Sequence, residues 1–247
     1  MRVGFEELKD VQLYRGAVGE YVCTMLYMLH TMNSCWDWDH SLLAIAATTG
    51  LAVAVNICMF FHVSGAHMNP AISLGFLANG SISLVTFASY VIAQLLGATS
   101  GAAIVNMSQC WKAAGDATCG MVTPDAESPI SAVVALEALF TCFLMLQTLS
   151  SAADLRHRFS VPGMAAVIGA TVSFGILILG PVTGAVFNPA RYTGPAVVSR
   201  DVGLVWVYWV GPMAGSLLAV PLYIRVLRPE DGTPGEEFTL DKSTTNT

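Results

Sequence analysis

The sequence predicts an all-α membrane protein, with six transmembrane helices plus two re-entrant half-helices in two inverted repeats. Three observations predict it. Of the 247 residues, 54% are hydrophobic and only 11% are charged, with a mean hydropathy of +0.61, well off the averages of a soluble domain. Six apolar stretches each approach the ~20 residues that a helix needs to cross a hydrocarbon core. The chain also matches itself at nearly one offset. Glu20 pairs with Glu137, GAHMNPA (65–71) with GAVFNPA (184–190), and Gly97 with Gly215, at separations of 117, 119 and 118 residues.

The elements follow in chain order. The opening arm, MRVGFEELKDVQLYR, is charged and has no apolar run before a small-residue cleavage site, so it does not read as a signal peptide. The first span is then the expected targeting signal. The spans fall at about 16–32, 41–61, 81–105, 132–153, 163–182 and 202–224. Arg2, Lys9, Arg15, Arg156, Arg158, Arg225, Arg228 and Lys242 fall in the arm, the fourth connection and the tail, against Lys112 and Arg200 on the other side. Both termini are therefore expected in the cytoplasm.

A repeat of three spans is odd in number, so its second copy crosses in the opposite sense, an architecture that places a functional site near the midplane between the halves. The two boxes lie between spans and are too short in apolar residues to cross alone, yet too apolar for ordinary loops. They read as re-entrant segments, tolerated at membrane depth only where the backbone is buried in protein or lines a water-filled cavity. In each, Asn is a good N-cap and Pro is favoured at the first helical position, so Asn69-Pro70-Ala71 and Asn188-Pro189-Ala190 each start a helix. With the halves inverted, the two helix N-termini point at each other and repel cations.

Glu20 and Glu137 are carboxylates inside apolar spans and are expected to face the bundle interior with partners. Arg191 is the only charge between Arg158 and Arg200. It sits in the first turn of the second half-helix, against both the macrodipole and the cost of burying a cation. His62 and His67 do not share a helix face, and no metal site is expected. Gly97, Gly211 and Gly215 read as sites of close helix crossing. Cys23, Cys35, Cys58, Cys110, Cys119 and Cys142 show no CxxC spacing. Cys110 and Cys119 share the third connection, where a disulfide and two free thiols are both open readings. Asn106, in NMS (106–108), is an acceptor sequon on the predicted outer side, and NGS (79–81) faces the cytoplasm. A net charge of −6 leaves no basic patch for nucleic acid. No nucleophile elbow or P-loop is present, so an enzyme is not expected.

These residues resemble the aquaporin or major intrinsic protein family over about residues 12 to 228. The matching segments are SGAHMNPAISLG (64–75), TGAVFNPARYTGPAVV (183–198), AQLLGA (93–98) and WVYWVGPMAG (206–215), with Glu20 and Glu137. The resemblance implies a channel domain over 12–228, with inverted repeats at about 12–105 and 131–228. A cytoplasmic arm (1–11) and a cytoplasmic tail (229–247) flank it. It also implies a homotetramer with one pore per subunit, no cofactor, and the bilayer, water and small neutral solutes as partners. In that family the amides of Asn69 and Asn188 would donate hydrogen bonds to a passing oxygen and interrupt a proton wire. Glu20 and Glu137 would accept from the backbone of the re-entrant loops, and Arg191 would be the arginine of the selectivity filter.

Counting from the boxes puts the other filter positions at Thr49, Ile176 and Ala185. Water-selective members carry an aromatic residue at the first and a histidine at the second, so Thr49 and Ile176 imply a wider filter with one apolar wall. Glycerol channels of the family usually have aspartate after the arginine, and here it is Tyr192. The expected function is passive permeation of water and small uncharged solutes such as glycerol or urea, with ions and protons excluded, in the plasma membrane. The alternatives are a strictly water-selective channel and a junctional membrane protein with little permeation.

Overall fold

The computed structural model describes residues 2–36, 41–108, 120–153 and 160–228. All elements among them are helical: a 3₁₀ turn over Phe5–Lys9, then α1 Val11–Trp36, α2 Leu42–Ser64, α3 Pro70–Ala78, α4 Leu84–Ser108, α5 Ile130–Thr148, α6 Val161–Thr183, α7 Pro189–Ser199 and α8 Val205–Leu222. α5 and α8 each run on through one wider π turn, to Ala153 and Leu227. Among the described residues, five helices are long and apolar enough to cross a membrane. α1 is as long but holds Arg15 and Glu20.

Several helices outrun the expected spans because an apolar window ends where polar residues begin, whereas a helix continues until it is capped. Ser41 and Ser160 accept hydrogen bonds from Ala44 N and Gly163 N at the starts of α2 and α6. Gly65 and Gly184 end the same two helices in the left-handed conformation, at φ +88° and +82°. All four caps are repeat partners, Ser41 with Ser160 and Gly65 with Gly184, each pair 119 residues apart. The eight helices form two equivalent sets, α1 to α4 and α5 to α8. α1 packs chiefly on α4, α5 on α8, and α2 crosses α6 between the halves.

Each of these contacts is closed by a glycine. A methyl group at Gly97 would meet the Tyr21 carbonyl, and one at Gly215 the Ala138 carbonyl. Gly50 and Gly169, one repeat apart, face each other across the α2–α6 crossing, each against the other's carbonyl oxygen. Small residues of this kind let helix backbones approach where lipid supplies no hydrophobic drive. The outer surface is apolar, with Leu43, Leu51, Leu139 and Leu218 all exposed, as a bilayer-facing surface requires. The N-terminal turn is tied to the start of α4. Leu84 N and Val85 N donate to the carbonyls of Arg2 and Val3, and Glu7 accepts from Ser83, Thr86 and Arg2.

Candidate functional site

The site is built from two loops that are copies of each other. After α2 the chain passes through Ala66 and Met68 at φ +51° and +52°, and after α6 through Ala185 and Phe187 at φ +51° and +52°. Residues with side chains rarely adopt positive φ, and each does so at a cost. The cost is borne because each loop is bound from behind by one carboxylate. Glu20, fully buried, accepts from Ser64 Oγ (2.7 Å), His67 N (2.8 Å), Met68 N (2.8 Å) and Gln94 Nε2 (2.8 Å). Glu137, equally buried, accepts from Thr183 Oγ1 (2.7 Å), Val186 N (3.1 Å) and Phe187 N (2.7 Å). Tyr90 donates to the Ser64 carbonyl and Tyr208 to the Thr183 carbonyl.

The two loops meet through their asparagines. Asn69 Oδ1 accepts from Ala71 N (2.9 Å), capping α3, while Asn69 Nδ2 donates to the Phe187 carbonyl (2.9 Å). Asn188 Oδ1 accepts from Ala190 N (2.9 Å) and Arg191 N (3.4 Å), capping α7, while Asn188 Nδ2 donates to the Met68 carbonyl (2.8 Å). Each half thus caps its own helix and grips the other half's backbone. An amide nitrogen has two hydrogens, so each asparagine keeps a second donor beyond this crossed pair.

One cavity runs past both asparagines. It measures about 110 Å³, several times the ~10–15 Å³ that one water occupies on this measure. Its lining includes Thr49, Ile176, Ala185 and Arg191, all less than a tenth exposed. The four positions counted from the boxes therefore come together along one passage, although they derive from α2, α6, the second loop and α7. Gly65 and Gly184 also line it, and a glycine can do so only with backbone. Elsewhere the wall is mostly aliphatic and aromatic, from residues such as Val53, Phe61, Phe76 and Ile168, with Tyr27, His67 and Thr148 as polar members.

Pro70, Ala71, Pro189 and Ala190 form the first turns of α3 and α7 and are buried. His67 is buried on the cavity wall, with Nδ1 3.0 Å from Ser73 Oγ and its ring stacked on Phe76, whereas His62 is exposed on α2. Gly211 packs against Glu137 and the Val134 carbonyl. Tyr192 does not line the cavity and instead stacks on Tyr208. Asn106 lies within α4. Cys110 and Cys119 lie outside the described residues.

Several residues of this arrangement were assigned no role from the sequence, although Ser64, Gln94, Thr183 and Tyr208 fall in segments that carry the family resemblance. Ser64 with Thr183 and Tyr90 with Tyr208 are repeat partners, and extending the self-match beyond the boxes would have found them. Gln94 bridges Glu20 and Ser73, and its counterpart in the second half is Pro212. Gly120 and Val122 belong to the third connection, and nothing in the boxes points to them. Gly120 O accepts from Arg191 Nη1 at 3.4 Å, and Val122 lines the cavity.

Comparison with known proteins places the chain. The family model described as Major intrinsic protein matches residues 7–223. Among similar relatives, Aquaporin-2 of Bos taurus is 34% identical over 226 residues, covering 90% of this chain and 82% of its own. Lens fiber major intrinsic protein of Gallus gallus is 35% identical over 236 residues, covering 94% and 88%. The X-ray structure of the aquaglyceroporin from Plasmodium falciparum superposes with a TM-score of 0.81 at 24% identity, over 88% of this chain and 98% of that one.

Proposed function

The chain belongs to the major intrinsic protein family, and from that premise we propose that it is a channel for water together with small uncharged solutes such as glycerol or urea, excluding protons and ions. The observation that carries the solute range is the lining of the cavity beside Arg191. Thr49 and Ile176 stand there with Ala185, and none of the three is aromatic or a side-chain nitrogen donor. Arg191 is then the sole charged group of the filter and holds off cations, aided by the facing N-termini of α3 and α7.

Asn69 and Asn188 hold a passing oxygen with their spare amide hydrogens. A water whose oxygen accepts from two donors at once has no lone pair left to accept a hydrogen bond from its neighbour in the file, and the proton wire is interrupted there. The apolar remainder of the wall offers the solute little to bind, so it leaves as readily as it enters. Glu20 and Glu137 act as scaffold, since their oxygens are engaged by the loops. We further propose a homotetramer in the plasma membrane with both termini cytoplasmic. In this reading residues 12–228 form the channel, and 1–11 and 229–247 are its cytoplasmic ends.

Stopped-flow swelling of proteoliposomes under water, glycerol and urea gradients tests this reading. Wild type should pass water, and glycerol or urea above empty liposomes. Thr49→Phe should suppress the solutes while keeping water, and Arg191→Ala should raise solute flux. Glycerol and urea fluxes equal to those of empty liposomes would leave a strictly water-selective channel, and absence of water flux would favour the junctional role.

A further inference from the structure

We propose that Phe140 is a positioning residue for the pore: it holds the ring of Phe187 and thereby sets the width of the passage beside Asn188; this rests on the channel reading above. Phe187 directly precedes Asn188, lines the cavity and is only 2% exposed. Its backbone is fixed twice. Its N–H donates to Glu137 Oε2 at 2.7 Å, and its carbonyl accepts from Asn69 Nδ2 at 2.9 Å. Its ring is fixed by Phe140, stacked on it with centroids 4.4 Å apart and planes inclined by 28°. Phe140 is buried and does not itself line the cavity, so it acts on the passage through Phe187.

The pair is held from α5 and from α6. Glu137 and Phe140 stand three residues apart on α5, a spacing that puts both on one helix face, so a single turn takes both the backbone and the ring of Phe187. α6 contributes Gly175. A methyl group there would overlap the rings of Phe140 and Phe187 alike, so both rings rest against bare backbone. Phe143 meets Phe140 in a T-shaped contact, with centroids 5.6 Å apart, and steadies it from the exposed side of α5. With Phe140 and Gly175 against it, the Phe187 ring has the cavity as its open side. The first half has no such pair. In repeat register Phe140 answers to Cys23, Phe187 to Met68 and Gly175 to Asn56. The stack is therefore an addition to the scaffold that both halves share.

Opposite perturbations of this stack should act with opposite sign. Packed interiors keep few voids, and a side chain beside a vacated volume moves into it as far as the site can collapse. Removing the Phe140 ring therefore draws the Phe187 ring away from the passage and widens it. A methyl group at Gly175 presses both rings toward the cavity and narrows it. A stacked aromatic pair favours its own geometry by about two- to tenfold, and about threefold in the solute-to-water ratio is the expectation here.

The full-length protein in proteoliposomes tests the proposal by water, urea and glycerol flux at equal protein. The variants are Phe140→Leu, Phe140→Ala, Gly175→Ala, Phe187→Leu and the double variant Phe140→Leu with Phe187→Leu. Both Phe140 variants should raise the glycerol-to-water ratio by about threefold, and Gly175→Ala should lower it by a similar factor. Where Phe187 is already leucine, Phe140→Leu should shift the ratio no further, since residues in contact are not additive. A merely structural role would reduce the amount of folded protein and leave the ratio in place. Phe140→Leu keeps most of the apolar bulk, so it carries the test where Phe140→Ala does not reach the liposomes. A ratio unchanged in the Phe140 variants, or shifted equally with and without the Phe187 ring, would overturn the proposal and leave the channel reading standing. If wild type passes water alone, the Phe140 variants should admit urea, and their failure to do so would also overturn it. A wild type that passes no water removes the channel reading and this proposal together.

Discussion

At the scale of single residues, the two glutamates decide whether the pore loops exist. Glu20 receives two backbone N–H groups and two side-chain donors, and a buried donor left without its acceptor costs about 1–3 kcal/mol. Glu20→Ala should therefore lower the thermal unfolding temperature in detergent far more than Glu20→Gln, whose amide oxygen still accepts. Equal melting of both variants and wild type would show that the loop is held by something else. The glutamates, both boxes and Arg191 were legible in the sequence because each breaks an apolar pattern. Gly120 and Val122 were not, because a glycine and a valine in a connection break nothing. Their part depends on where the third connection lands, which is a tertiary outcome.

Among elements, the α2–α6 crossing is the joint between the halves. Gly50 and Gly169 leave no room for a side chain there, since each would press on the other's carbonyl. Gly50→Leu should abolish the monodisperse folded peak on fluorescence-detected gel filtration. By contrast, Leu51→Ala, on the outer face of the same helix, should leave the peak in place. The helices themselves were readable from apolar length and the half-helices from Asn-Pro starts. The pairing α2 with α6 was not readable, because Gly50 and Gly169 stand in no box and show their meaning only when the helices meet.

For the whole molecule, the N-terminal arm is a separate unit of stability. Burial pushes the Glu7 carboxyl up, but the hydrogen bonds of Ser83 and Thr86 and the charge of Arg2 outweigh it, so Glu7 lies below its ordinary value of 4.5. A depressed carboxylate stabilises the attached arm above that ordinary value and loses the effect as pH falls through the lower, folded one. Proteolysis of residues 2–10 should therefore be slow at neutral pH and accelerate below about pH 4, and Glu7→Gln should remove most of that pH dependence. Arm cleavage with the same pH profile in both proteins would disconnect Glu7 from the attachment.

The crossed asparagine bonds bear on what counts as a complete unit. Neither half holds its own asparagine's amide nitrogen, because the carbonyl that receives the Asn69 amide belongs to Phe187 and the one that receives the Asn188 amide belongs to Met68. A half standing alone would lack the protein partners of that amide and that carbonyl, and a second half meeting it head to head supplies both. The smallest self-sufficient body is thus a couple. The single chain is a way of guaranteeing that each partner is always delivered with its mate.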